Sequence, residues 1–252
     1  RFFYRRGYIV YSIHIYDSIN LRKFCKDSLQ LKSFNEDKIK KFFYQVDPYE
    51  TKSVLIGSGF AESLKQKKII GSRKNYGNSI KTNKIVKSQA FFTMMQKKKI
   101  LHPNWSLRIN KNWLIKYFNS FGGEKVFNGL ESKILKRQNR YFQELIFGEH
   151  ISAQFFVNKS QMKILCYCKQ HFYDNHKKPF LIKALTTLNL SDKIKKKIYN
   201  IVKKVSSFYK LNGLNNLDLV VDKNENVYLI ELNARPGLSI TIYNHKKKKV
   251  MG

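Results

Sequence analysis

Apolar residues along the chain recur at two different spacings, and each spacing predicts a different element. Tyr8-Ile9-Val10-Tyr11 is a short apolar run behind Gly7, as in a short strand. Asn35, followed by Glu36 and Asp37, marks a helix start. The Asn side chain can cap free backbone N–H groups, and the acids suit the positive end of the helix dipole. Ile39, Phe42 and Phe43 give that helix an apolar stripe. Ser53-Val54-Leu55-Ile56 then predicts a buried strand ending in the turn Gly57-Ser58-Gly59. This is a β/α pattern of the doubly wound kind. Gly57-Ser58-Gly59-Phe60-Ala61-Glu62 lacks the third glycine and the later acid of a dinucleotide fingerprint, so it reads as a strand-to-helix turn.

A break rich in glycine and polar residues falls at 71–78. Beyond it, Ile85, Phe92 and Met95 share one face of a helix predicted from Thr82 to Gln96, and His102-Pro103-Asn104 ends that unit. Trp113-Leu114-Ile115-Lys116 is an apolar strand closing on a lysine, with the flexible turn Asn119-Ser120-Phe121-Gly122-Gly123 directly after it. Phe142 to Ile146 and Ile151 to Val157 are two strand pieces bent at Gly148, and Asn158-Lys159-Ser160 turns the chain into Met162 to Gln170. Ser191 opens the clearest helix, with the stripe Ile194, Ile198, Ile201, Val205 and Phe208, and Gly213 closes it.

Residues 213–237 hold the most informative pattern. Two apolar runs flank a polar turn, which predicts a hairpin. With a loop of Lys223 to Asn226, Asp222 opposes Val227, and counting back sets Asp218 opposite Glu231. Opposed residues share a face with Cβ atoms about 5 Å apart, so the two carboxylates repel unless a cation lies between them. Asn233 returns to the same face two residues on. Three oxygen-bearing side chains in this arrangement suit Mg²⁺ (or Mn²⁺), a hard cation that takes its remaining ligands from water and phosphate.

Composition narrows the picture. The chain has 252 residues, 42% of them hydrophobic, and reads as globular. The net charge of +32 comes from lysines spread throughout, with short runs at Lys65 to Lys68, Lys97 to Lys99, Lys195 to Lys197 and Lys246 to Lys249. No RNA-recognition signature, zinc finger or basic zipper accompanies them. The charge is therefore read as solvated surface that favours anionic ligands, with no specific nucleic-acid partner expected. No apolar run nears the ~18 residues of a membrane span, so no membrane partner is expected. Cys25, Cys166 and Cys168 form no disulfide framework, and Cys166-Tyr167-Cys168 puts two thiols on one strand face without two further zinc ligands; buried thiols in a reducing cytoplasm follow. Arg1-Phe2-Phe3-Tyr4-Arg5-Arg6 is not a secretory signal, and the absence of an initiator Met predicts missing N-terminal residues.

Asp218 and the run Glu231-Leu232-Asn233-Ala234-Arg235-Pro236-Gly237 resemble the metal-binding strands of the ATP-grasp superfamily, which includes biotin carboxylase, D-alanine–D-alanine ligase and carbamoyl-phosphate synthetase. The likeness extends backwards in order. Trp113 to Lys116 looks like the strand whose lysine holds ATP phosphates, and Gly122-Gly123 falls where the family has a glycine-rich lid. Gln143-Glu144-Leu145-Ile146-Phe147-Gly148 resembles the hinge that receives adenine. Glu144 and His150 lie where the family contacts the nucleotide's amino group and ribose, with His150 where several relatives carry Glu. Asn83-Lys84 looks like the first phosphate-binding lysine, with Asn83 where Asp is common. The resemblance implies an α/β and α+β chain: a partial Rossmann-like domain over 1–71 and an ATP-grasp domain of two α+β lobes over 72–252. Some details are similar to small bacterial and archaeal ligases, a few of them tied to one-carbon cofactor synthesis.

The implied function is an ADP-forming ligase. ATP phosphorylates a small carboxylate, and an amine then displaces phosphate from the acyl phosphate, with Mg²⁺ and the lysines neutralising charge and Arg235 holding the acyl phosphate or the carboxylate. Two alternatives stand beside it: a carboxylase-type enzyme activating bicarbonate, and a basic RNA- or ribosome-binding protein on an inactive ATP-grasp fold. The acid, the amine and the oligomeric state are not legible in the sequence.

Overall fold

The computed structural model describes residues 3–15, 19–63, 69–118, 120, 122–123, 125–130, 138–159, 161–174 and 178–243. Arg1-Phe2, the Lys65 to Lys68 run, Asn119, Phe121, Ser160 and the Lys246 to Lys249 tail lie outside the described residues. The chain divides into two compact units, residues 1–55 with 63–76 and residues 56–62 with 77–252.

The first unit carries β1 (Tyr11–His14), α1 (Ile19–Arg22), β2 (Asp27–Gln30) and α2 (Glu36–Val46). β1 and β2 pair in parallel with Tyr11 opposite Asp27. Tyr8 and Ile9 are exposed and precede the strand rather than belonging to it. Asn35 caps α2, its side-chain oxygen accepting from the Lys38 N–H at 2.9 Å, and Ile39 and Phe42 are buried. Ser53 to Ile56 makes a single parallel bridge, Val54 to Asn75, instead of a strand. Side chains organise this region in place of a ladder. The buried Arg73 guanidinium donates to the Asp47 carboxylate at 2.7 Å and to the Asp47 carbonyl at 2.5 Å, and lies over the Phe43 ring at 4.8 Å.

The second unit contains the short helix α3 (Phe60–Ser63, whose last residue falls with the first unit), then α4 (Ile80–Ile85) and α5 (Gln89–Lys97). β3 (Trp105–Ser106), β4 (Leu114–Tyr117), β5 (Phe127–Asn128) and β6 (Arg140–Gln143) form an antiparallel sheet ordered β3-β6-β4-β5. β7 (Glu149–Val157), β8 (Met162–Phe172), β9 (Ile182–Thr187), β10 (Gly213–Val221) and β11 (Val227–Asn233) form a second, ordered β11-β10-β7-β8-β9. Between β9 and β10 runs α6 (Asp192–Tyr209).

The helix predicted over 82–96 is two helices. α4 stops at Ile85 and α5 restarts at Gln89, and the Ser88 hydroxyl turns back to the Ile85 carbonyl at 2.8 Å. α6 buries Ile198, Ile201, Val202, Val205 and Tyr209. Phe208, expected in the stripe, is 42% exposed, because Tyr209 occupies the inward position. Lys210, in the left-handed region at φ 49, ends this helix where Gly213 was expected to, and Gly213 opens β10.

α6 covers one face of the five-stranded sheet, and alternation sets what that face contains. Ile151, Ala153 and Phe155 of β7 join Leu217, Leu219 and Val221 of β10 in the core with α6. Ser152, Gln154, Asn216 and Asp218 therefore point to the opposite face. On β11, Val227 and Leu229 belong to the core, but so do Leu232 and Ala234, which a regular strand forbids. A bulge resolves the conflict: Leu219 opposes Leu229, Asp218 opposes Glu231, and Ile230 is the extra residue. Glu231 and Asn233 thereby reach the face of Asp218. No helix among the described residues is long and apolar enough to cross a membrane.

Candidate functional site

The polar face of the five-stranded sheet gathers one cluster. Asp218 is half-buried, and three amides hold its carboxylate. Gln170 Nε2 and Asn216 Nδ2 donate to Oδ1 at 2.9 and 3.1 Å, and Asn233 Nδ2 donates to Oδ2 at 2.8 Å. Burial pushes the Asp218 carboxyl up, opposed by Lys87 and Arg235. Glu231 stands opposite Asp218 across the hairpin, as counted from the sequence, although the count itself was wrong twice. The turn is one residue longer than expected, with Val221 rather than Asp222 opposite Val227, and the Ile230 bulge restores the lost step.

Two lysines enter this cluster from other elements. Lys87, buried between α4 and α5, donates to Asn233 Oδ1 at 2.7 Å and pairs with Glu231 Oε1. Burial, reinforced by Arg235, lowers it to about 7 against the pull of Glu62 and Asp218. Lys116, buried on β4, donates to Gln143 Oε1 at 2.9 Å. Burial lowers it to about 8, with Asp218 opposing the shift. Desolvation thus lowers both ammonium groups toward the physiological range, and a further anion beside them would favour their charged forms.

The remaining candidates occupy the surround. Arg235 Nε donates to the buried Glu62 carboxylate at 2.7 Å, and Glu62 in turn accepts from the Gly59 N–H at 2.9 Å. His150 is half-buried against the rings of Phe172 and Phe180, at 5.0 and 5.6 Å. Burial first, and Lys116 second, lower it to about 4, so it is neutral at physiological pH. Gly123, at φ 73, packs so closely under the Phe180 carbonyl that no Cβ fits, while Gly122, at φ 71, has open space. Glu144, at the bend after β6, accepts from the Asn104 backbone and side chain at 3.1 and 2.8 Å. Ile146 is half-buried, and the neighbouring Phe147 is 80% exposed.

Lys84 is exposed on α4, and the helix break brings Lys87 to Glu231 and Asn233. Asn216 was legible as the residue two before Asp218 on the same strand face. Ser88, followed by an amphipathic run, was a helix start that would have isolated Lys87. Gln170 and Glu62 carry no local signal, since their partners lie far along the chain.

A cleft opens beside Lys87, Lys116 and Glu231, walled by Phe91, Phe92 and Tyr141. Its lining comes from both sheets and from the α4–α5 break. The donor set fits a hard divalent cation. Glu231 Oε1 and Asn233 Oδ1 already converge on one cation, the Lys87 ammonium, with the Asp218 carboxylate held alongside. Among the described residues no group of three His, Cys, Asp or Glu side chains could hold a metal, and here the third oxygen is an amide.

A family model described as an ATP-grasp domain matches residues 79–239. The chain belongs to the ATP-grasp family. Solved ATP-grasp structures share the fold. Biotin carboxylase from Campylobacter jejuni, solved with β,γ-ATP, superposes with a TM-score of 0.72 at 15% identity, over 96% of this chain and 63% of that one. L-amino acid ligase from Bacillus licheniformis gives 0.68 at 16% identity, over 94% and 63%. The biotin carboxylase domain of 2-oxoglutarate carboxylase from Hydrogenobacter thermophilus, solved with MgADP and bicarbonate, gives 0.70 at 15% identity, over 96% and 62%. This ATP-grasp chain thus spans less than two thirds of those proteins. A sequence search of curated proteins finds no match.

Proposed function

We propose that this ATP-grasp chain binds Mg-ATP between its two antiparallel sheets and uses it to activate a small carboxylate for joining to an amine. One observation carries the reading: two buried lysines from separate elements, Lys87 and Lys116, border the cleft beside Asp218, Glu231 and Asn233. Asp218, Glu231 and Asn233 would hold Mg²⁺, which when bound neutralises phosphate oxygens and steadies the transferred phosphoryl group. Lys87 and Lys116 would bind the phosphates as ammonium groups. Glu144, Ile146 and His150 would border the nucleoside, and Gly122-Gly123 would close over the phosphates and exclude water. Arg235, oriented by Glu62, would hold the carboxylate as its oxygen attacks the γ-phosphorus and the bond to ADP breaks. The amine then attacks the acyl carbon, loses a proton and expels phosphate.

The same reading takes residues 1–71 as a partial Rossmann-like domain preceding an ATP-grasp domain over 72–252. It also takes the setting as cytoplasmic, which three cysteines outside any disulfide support. The test is ADP release over a panel of amino acids and amines with Mg-ATP, with bicarbonate alone as a separate arm. Release that requires both a carboxylate and an amine supports the ligase; release with bicarbonate alone turns the reading to a carboxylase. Absence of Mg-ATP binding by calorimetry would sink both.

A further inference from the structure

On the opposite side of the five-stranded sheet, a second cleft of about 250 Å³ shares no lining residue with the first. It lies among α6, the turn after α5 and the start of β11. Lys197, Asn200 and Lys204 line it from one face of α6, at the i, i+3, i+7 spacing that aligns side chains on a helix. Lys99 and Asn226 complete a polar rim, and Ile100, Ile201 and Val227 make an aliphatic floor that is itself buried. No acidic side chain lines the cleft among the described residues. Glu225, just outside, has its carboxylate on Lys193 and its carbonyl on Lys197 at 2.7 Å. The Lys204 ammonium donates to the Lys98 carbonyl at 3.0 Å, which anchors the head group at the rim while leaving N–H bonds to spare.

We propose that this cleft binds a small organic phosphate, its phosphate on Lys99, Lys197 and Lys204 and its apolar portion on the Ile100–Ile201 floor. Three cations with no acid among the lining concentrate an anion electrostatically, and concavity with an aliphatic floor distinguishes the site from the scattered surface lysines. The Lys197 and Lys204 head groups are fixed by backbone carbonyls, so little side-chain freedom is lost on binding. Val227 at the cleft and Glu231 at the first site are about 10 Å apart along one strand, three ladder steps because of the bulge. The inference does not depend on the ligase reading, because it uses none of its residues.

The probe is phenyl phosphate, titrated by calorimetry, with inorganic phosphate and phenol as separate arms. Wild type, Lys204→Glu and Lys197→Glu are compared with Lys41→Glu, an equal charge change on the first unit. Circular dichroism verifies the fold of each. Reversing one cleft charge should weaken phenyl phosphate binding about tenfold or more, because each substitution turns an attraction beside the anion into a repulsion. Lys41→Glu should leave it within twofold. Phenol should not bind, and inorganic phosphate should bind more weakly than phenyl phosphate. Equal weakening by Lys41→Glu would reduce the effect to net charge and overturn the proposal. Phenol binding as tightly as phenyl phosphate, or unchanged binding in both cleft variants, would overturn it equally.

Discussion

Replacing Lys116 by Met sets stability against ligand binding. Met is similar in length and apolar, so the β4 side of the cleft stays filled. In the protein without nucleotide, burial has lowered Lys116 from 10.5 to about 8, which at 1.36 kcal/mol per tenfold is a cost on the order of 3 kcal/mol for holding the ammonium. The variant loses the 2.9 Å hydrogen bond to Gln143 Oε1, a loss of about 1–2 kcal/mol. The net expectation is a protein as stable as wild type, or more stable by about 1–2 kcal/mol. The sign with pH follows. Between the folded value near 8 and the unfolded value of 10.5 the unfolded state binds more protons, so wild-type stability rises with pH and the advantage of Lys116→Met shrinks over that window. Binding goes the other way. A unit charge about 4 Å from a phosphate oxygen, at an effective dielectric near 20, contributes up to about 4 kcal/mol, so Mg-ATP affinity should fall by two to three orders of magnitude. Thermal unfolding with and without Mg-ATP reads both quantities. A variant that unfolds earlier than wild type yet keeps its full Mg-ATP shift would mark Lys116 as structural and refute the reasoning.

Glu231→Gln keeps size but removes a cage charge, and should lower ADP formation by orders of magnitude with little loss of fold, whereas Asp222→Asn in the adjacent turn should not touch turnover; steady-state ADP release measures both. Mg-ATP binding at pH 8 should take up protons as the phosphates return Lys87 and Lys116 to their charged forms, visible as a dependence of calorimetric heat on buffer ionisation enthalpy; no such dependence would place both lysines off the phosphates. Gly122→Ala should cost about 1 kcal/mol for its left-handed backbone alone, whereas Gly123→Ala also meets the Phe180 carbonyl and should cost clearly more in a denaturant titration.

The hairpin was the most legible part of the chain, and it shows how a correct pairing can rest on an incorrect count. Apolar alternation located both strands, and chemistry singled out Asp218 and Glu231. The register between them needed the turn geometry, where the Asp222 carboxylate accepts from the Asn224 and Asn226 N–H groups and lengthens the loop. It also needed the Ile230 bulge, which packing against α6 selects. The resemblance points to Lys84, and a helix read as continuous over 82–96 hides the break at Ser88 that brings in Lys87. Gln170, on β8, reaches Asp218 only through the order of strands in the sheet, and no local pattern encodes that order. Ser53 to Ile56 has a strand composition but little ladder to join, and buried Arg73 takes over the organising role there.

The bulge at Ile230 has an effect outside the site. β11 is the edge strand of its sheet, and a flat edge offers a repeating row of N–H and C=O groups to any other chain. The extra residue breaks that repeat. One residue earlier, the Leu229 N–H is already taken by the Leu101 carbonyl at 2.9 Å. A distortion that turns Glu231 toward the cleft therefore also blunts the edge against strand addition, so straightening β11 would expose the protein to self-association as well as displace a carboxylate.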